Sequence, residues 1–318
     1  LPTTAAGQEI RLRELLFTKG SQTVPFGLVT DAMQVDDETI LVVDERPGIV
    51  WRWDTETGSV RQILRSGDGP GETRLPVRLT SRPGGGVALY DAGHSALSLF
   101  DGDLRFERRI PLPGIISWAK GMLACPDGSF VLAGGQLSHH NHLHRFSQSG
   151  EVVERWGTPH PEAEVFDTRV QTMGGALYAE DDSTFLFSVS SPLRILRLPV
   201  GEWSSVDTLV TGSLLPEMTD EYFLTRTENG GVAPRWNYPR TTAVWVLEDG
   251  RIMNVITRKE DGDSVWDVYG QDGTLISRTI VGVPYEARQY LGGGRVLALR
   301  NDPVTDESIV VVLELKGM

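Results

Sequence analysis

The densest group of titratable side chains in the sequence is Ser138-His139-His140-Asn141-His142-Leu143-His144, which holds four of the six histidines. Imidazole titrates near neutrality and ligates metals readily, so such a cluster suggests acid–base or metal chemistry. If a strand begins near His142, alternation puts His142 and His144 on one face and Leu143 on the other, a spacing that suits two ligands at i and i+2. His140 and His94, the latter in the matching loop of the preceding repeat, complete a candidate set of His94, His140 and His142 for zinc, calcium or a similar divalent cation. Metal-activated water or a polarised carbonyl would give hydrolase or lyase chemistry. In that case His140, His142 and Tyr238 are candidates for proton transfer, and Arg240 or Arg78 for stabilising an anion. Loop histidines also occur as hydrogen-bonded surface groups, and both readings stand. His160, in Thr158-Pro159-His160-Pro161, reads as a loop residue only.

The second group is cationic. Arg78, Lys120, Arg169, Arg240 and Arg288 fall at matching points of a repeat, in a chain whose net charge is −13. Five cations around one opening would focus a positive potential, and guanidinium groups grip carboxylate, sulfate or phosphate through paired hydrogen bonds. Trp236 and Tyr238, next to Arg240, add faces that stack on rings. The expected ligand is a small anionic or aromatic molecule, or a protein partner. The competing reading pairs each cation with one of the 43 Asp and Glu.

What must position these residues is a strand-turn-strand module that occurs six times. Its first copy turns at Asp36-Asp37-Glu38 into Thr39 to Asp44 and then Ile49 to Asp54; the second runs through Val87 to Asp91 and Ala96 to Asp101. Further copies centre on Phe130 to Ala133, Phe185 to Ser188, Ile252 to Ile256 and Val296 to Leu299. The pattern predicts an all-β, six-bladed propeller over 9–318, with 1–8 as a linker. The inner strands are expected to start near Arg78, Lys120, Arg169, Arg240 and Arg288. The sixth copy lacks its last strand, and Glu9 to Phe17 alternates at strand period, so the N-terminus is expected to complete that blade. A short amphipathic helix is the rival for 9–17. The stretch 211–239 is an insertion and a candidate lid, with a helical turn or two expected over 216–224.

The loop Gly67-Asp68-Gly69-Pro70-Gly71-Glu72 and the segment Tyr90-Asp91-Ala92-Gly93-His94 resemble those of bacterial six-bladed propellers related to the NHL-repeat proteins. Thr73 stands where that group usually has an aromatic. The resemblance implies the fold and, for many members, export; these motifs speak to backbone geometry rather than activity. As a phosphate loop, Gly67 to Glu72 lacks the lysine and the following helix. Calcium-dependent lactonases of similar fold use a Glu, two Asn and an Asp from inner strands, whereas the five Asn here mostly fall in loops. Peptide-amidating lyases take zinc-holding histidines from several blades, whereas here four of six sit together.

Cys125 is the single cysteine, which excludes an internal disulfide or a thiolate-rich metal site. The acidic balance argues against nucleic acid, no apolar run is long enough for a membrane span, and the first residues resemble a mature start after export. The expected function is extracytoplasmic recognition on the loop-rich face. A metal-assisted hydrolase or lyase and a structural subunit of a surface assembly are the alternatives.

Overall fold

A strand such as Thr39–Asp44 is too apolar for a sheet with one wet face, so it must be covered on both sides. In the computed structural model all six of its residues are buried. The structure describes residues 10–20, 25–136, 141–157, 175–190, 193–201, 203–212, 224–226, 232–234, 240–258 and 262–317.

The chain begins with β1 (Arg11–Thr18). Blade one is β2 (Val29–Gln34), β3 (Thr39–Asp44), β4 (Ile49–Asp54) and β5 (Val60–Leu64); blade two is β6 (Pro76–Ser81), β7 (Val87–Asp91), β8 (Ala96–Phe100) and β9 (Phe106–Pro111). Blade three is β10 (Ile116–Ala124), β11 (Phe130–Gln136), β12 (Leu143–Phe146) and β13 (Val152–Trp156); blade four is β14 (Ala176–Ala179), β15 (Thr184–Ser190), β16 (Leu193–Pro199) and β17 (Asp207–Gly212). A small hairpin of β18 (Leu224–Arg226) and β19 (Val232–Pro234) precedes blade five, which is β20 (Arg240–Val246), β21 (Ile252–Arg258), β22 (Asp263–Tyr269) and β23 (Leu275–Val281). Blade six is β24 (Glu286–Gly292), β25 (Arg295–Asn301) and β26 (Ser308–Lys316), with β1 as its fourth strand. The six antiparallel four-stranded sheets form the ring of a six-bladed β-propeller.

Closure occurs as the alternating pattern of residues 9–17 predicts. β1 pairs antiparallel with β26, from Arg11 opposite Lys316 to Thr18 opposite Val310, with a bulge between Glu14 and Leu16. Hydrophobic side chains collect in six layers, one between each pair of neighbouring blades. Trp245 and Trp266 of blade five meet Val296 and Val311 of blade six, and Phe185 and Phe187 of blade four meet Val131 and Leu143 of blade three. Val42 and Trp51 of blade one meet Leu297 and Val310 of blade six, so the first and last blades pack through an apolar layer like the other pairs.

Aspartates at the ends of second strands fix the incoming inner strands. Asp44 accepts the Gly27 amide at 2.9 Å, and Asp91 accepts those of Arg74 and Leu75, each at 2.9 Å. In the crossing between blades one and two, Glu72 accepts the Gly69 amide at 2.8 Å and Arg65 at 2.6 Å. Gly67 takes a positive φ there, and a Cβ would lie 2.1 Å from the Glu72 carboxylate, so only glycine fits.

Three boundaries differ from expectation. The inner strand of blade four begins at Ala176 rather than near Arg169, which lies outside the described residues. Leu224, expected at the end of a helical turn, is in β18, while the rest of 216–224 lies outside the described residues. The third strand of blade three begins at Leu143, one residue after His142.

The ring seam carries a polar clasp. Glu14 of β1 accepts Arg300 at 2.7 and 3.2 Å and the Tyr285 hydroxyl at 2.9 Å. Arg300 holds the Glu14 carboxyl below its ordinary range, so its contribution is present above that range and lost as pH falls through it. Glu14→Gln is expected to cost about 1 kcal/mol at pH 7, a modest figure because the pair is partly solvated. Urea unfolding at pH 7 and near pH 3 checks this: the deficit should vanish in acid, and a pH-independent deficit would refute the clasp.

Candidate functional site

The six inner strands run beside the central channel, and five of them break register near their starts. The irregularities fall between Val29 and Asp31 in β2, Pro76 and Arg78 in β6, and Ser117 and Gly121 in β10. They recur between Thr241 and Ala243 in β20 and between Ala287 and Gln289 in β24. A bulge inserts an unpaired residue and re-aims the side chains beside it. Arg78, Lys120 and Arg288 sit within or at the edge of these interruptions and line the channel with Asp31.

The tier is cross-linked across blades. Glu286 accepts Arg240 of blade five and Arg288 of its own strand, each at 2.5 Å. Asp31 lies 3.8 Å from Arg288 and accepts the Leu79 amide of the next blade at 2.8 Å. Arg78 donates to the Thr30 carbonyl and, at 3.1 Å, to that of Val77. Thus four of the five expected cations, Arg78, Lys120, Arg240 and Arg288, come together, whereas Arg169, Trp236 and Tyr238 lie outside the described residues.

Their electrostatics are those of like charges held in a poor solvent. Burial, then the neighbouring Arg288, brings Arg78 down to about 10 despite the opposing pull of Asp31 and Glu286. Burial, then Arg240 and Arg78, brings Lys120 down to about 7. The Nε atoms of Arg78 and Arg288 are buried and donate to no acceptor among the described residues. A buried donor without an acceptor is costly, and an anion beside these two guanidinium groups relieves that cost.

The channel cavity is about 320 Å³, and its lining extends from the cations to Tyr178, Trp245 and Tyr290. Trp245 and Tyr290 stack with ring centres 5.6 Å apart and planes 6° from parallel. The Tyr290 hydroxyl donates to Glu248 at 2.5 Å, and burial first, then that bond, pushes it up to about 12. The lumen is therefore charged at one level and aromatic at the other.

The histidines are placed differently from the expected ligand set. The Nδ1 of His94 faces Asp91 at 2.7 Å and its Nε2 faces Asp68 at 3.1 Å, so both nitrogens are engaged by carboxylates. Arg74, then His94, holds Asp68 down at about 2. His142 is buried 6.2 Å from Phe187 of blade four, while His144 stacks on Phe146, which belongs to the layer shared with blade two. The Nε2 of His144 donates to the Gly134 and Asn141 carbonyls at 3.1 and 3.2 Å. The expected common face for His142 and His144 does not form: His142 precedes β12, where strand alternation does not hold, and packs on the blade-four side, whereas His144 packs on the blade-two side. His140 lies outside the described residues, and among those described no three His, Cys, Asp or Glu side chains are grouped to hold a metal ion. The donor set that is visible does not fit zinc or calcium.

Asp31 and Glu286 were not singled out by sequence, although Glu286 and Arg288 are spaced i, i+2 and so share a strand face. The bulges had no sequence signal.

No family model matches the sequence, and no curated protein resembles it significantly. Solved structures do share the fold. A Bacteroides fragilis protein assigned as exported superposes with a TM-score of 0.64 at 13% identity, covering 96% of this chain and 95% of that one. Virginiamycin B lyase from Staphylococcus aureus gives 0.58 at 12% identity, covering 96% and 99%. A gluconolactonase from Xanthomonas campestris gives 0.57 at 13% identity, covering 96% and 90%. At these identities the likeness is one of fold, and all are similar six-bladed propellers.

The depressed Lys120 value has a consequence for stability. Between about 7 and the ordinary 10.5 the unfolded chain binds a proton that the folded chain does not, so stability rises with pH across that window. Lys120→Met removes the dependence. The variant's stability relative to the parent is expected to be most favourable near pH 6.5 and to decline by pH 9.5, measured by urea unfolding; parallel profiles would contradict a desolvated Lys120.

Proposed function

We propose that this protein is a recognition propeller that binds a small organic anion in its central channel. The observation that carries this reading is the convergence of Arg78, Lys120 and Arg288 from three blades on one lumen, with Arg240 of a fourth blade acting on them and Asp31 and Glu286 the carboxylates that meet them among the described residues. Burying like charges costs free energy unless a counter-charge is present, and a fixed ring of donors binds an anion without reorganising. The aromatic level formed by Tyr178, Trp245 and Tyr290 suits an apolar or ring-bearing remainder of the ligand.

We also propose that the protein acts outside the cytoplasm and is similar in kind to the bacterial NHL-related propellers. The Gly67–Glu72 crossing supports that kinship, and the exported Bacteroides fragilis propeller supports the location. No helix of the described residues is long and apolar enough to cross a membrane. The metal-assisted hydrolase or lyase reading gains nothing from His94 or His142, which are committed to Asp91, Asp68 and the Phe187 contact.

Calorimetric titration with succinate, citrate and inorganic phosphate at two salt concentrations tests the reading. At least one should bind, more weakly at high salt, and Arg78→Gln should weaken it roughly tenfold or more while preserving the thermal midpoint. If none binds, or binding ignores both salt and Arg78, the reading fails.

A further inference from the structure

Within the cation tier one position breaks the pattern. Blades two, five and six supply arginine at 78, 240 and 288, but blade three supplies Lys120. The sequence is otherwise sparing with lysine, using it only at Lys19, Lys120, Lys259 and Lys316. Guanidinium stays protonated and serves as a fixed clamp, whereas an amine can shed its proton and become a nucleophile. The channel thus combines three clamps with one side chain capable of covalent chemistry.

Its surroundings favour the neutral amine. Arg78 of β6 and Arg240 of β20 act on Lys120, and among the described residues Asp31, Glu286 and Arg288 share the tier while Tyr178 lines the same cavity. A half-buried amine beside other cations loses its proton more readily than one in water, and Lys120 is brought to about 7. At neutral pH a large share of the side chain is therefore nucleophilic. The lumen of about 320 Å³ is at the small end for ligand sites and holds a compact metabolite rather than a polymer.

We propose that Lys120 forms a Schiff base with a small 2-oxo carboxylate whose carboxylate group is held by Arg78 and Arg288. This rests on the anion-binding reading of the channel and extends it to a substrate class. The Nζ lone pair forms a bond to the carbonyl carbon while the carbonyl π electrons move to oxygen. The two amine hydrogens leave with that oxygen as water, and a C=N bond remains; no oxidant or reductant is consumed. A carboxylate held beside Arg78, which acts on Lys120 in the same cavity, would present an adjacent carbonyl to the amine more readily than a remote one.

Reductive trapping tests this. The full chain is incubated at pH 7.5 with pyruvate or 2-oxoglutarate and sodium cyanoborohydride, which donates hydride to the imine carbon and leaves a secondary amine. Intact mass should show one reduced adduct, and peptide mapping should place it at Lys120 at least tenfold faster than at the other lysines. Succinate, which has no ketone, should slow labelling without itself adding mass, and Arg78→Gln should slow it about tenfold. Lys120→Arg, or Lys120→Gln if the arginine variant does not fold, should abolish the adduct. Binding of succinate by the parent without labelling of Lys120, or equal labelling of all lysines, overturns the Schiff base and leaves the anion reading intact. If pyruvate, 2-oxoglutarate and succinate all fail to bind, both fall.

Discussion

Each blade has two apolar faces and can bury them only against two neighbours, so everything in this molecule depends on the ring being closed. β1 meets that requirement by completing blade six from the opposite end of the chain. Were it detached, β26 would present an unpaired edge, and the layer around Trp245, Trp266 and Val311 would lose the cover of Ile10 and Leu12. Glu14 pins the arrangement by joining β1 to Arg300 of β25 and to Tyr285 just before β24. The same closure fixes the radius at which inner strands meet, and hence how near the channel cations must come to one another.

That nearness is unfavourable in isolation. Desolvation alone destabilises charged Arg78 and Lys120, and mutual repulsion adds to it. Glu286 offsets part of the cost by bridging Arg240 and Arg288, and Asp31 contributes from blade one. Buried ion pairs of this kind stabilise a fold weakly at best, since removing the charges from water cancels much of the attraction. Under the proposed anion-binding reading, their retention is preorganisation: the donors are already oriented for an incoming anion.

Much of this was legible in the sequence because it follows from period and composition. The repeat of turn, apolar strand and loop specified six blades, and polar alternation over residues 9–17 specified the closing strand. The positions of Arg78, Lys120, Arg240 and Arg288 followed from where inner strands start. What was not legible depends on pairing between strands. A bulge is a property of two strands in register, so nothing local to Ala287 or Thr242 announces it. The histidines misled for a related reason: His142 and His144 obey a two-residue spacing, but β12 begins only at Leu143, so the rings pack on opposite sides of blade three, against Phe187 and Phe146, instead of meeting at a surface. The carboxylates Asp31 and Glu286 were overlooked because a chain with 43 acids offers no local reason to prefer two of them.

The bulges also separate two kinds of inheritance. Residues in the regular part of a ladder are tied to a partner and to a packed layer, so a change there disturbs the whole blade. A residue set on a bulge stands on backbone that is already irregular. Lys120 lies in the interruption between Ser117 and Gly121, outside the layer around Phe130 and Phe146. In a ring of this kind the packed layers specify the wheel while the side chains at its hub stand apart from them, so a common shape implies no common chemistry.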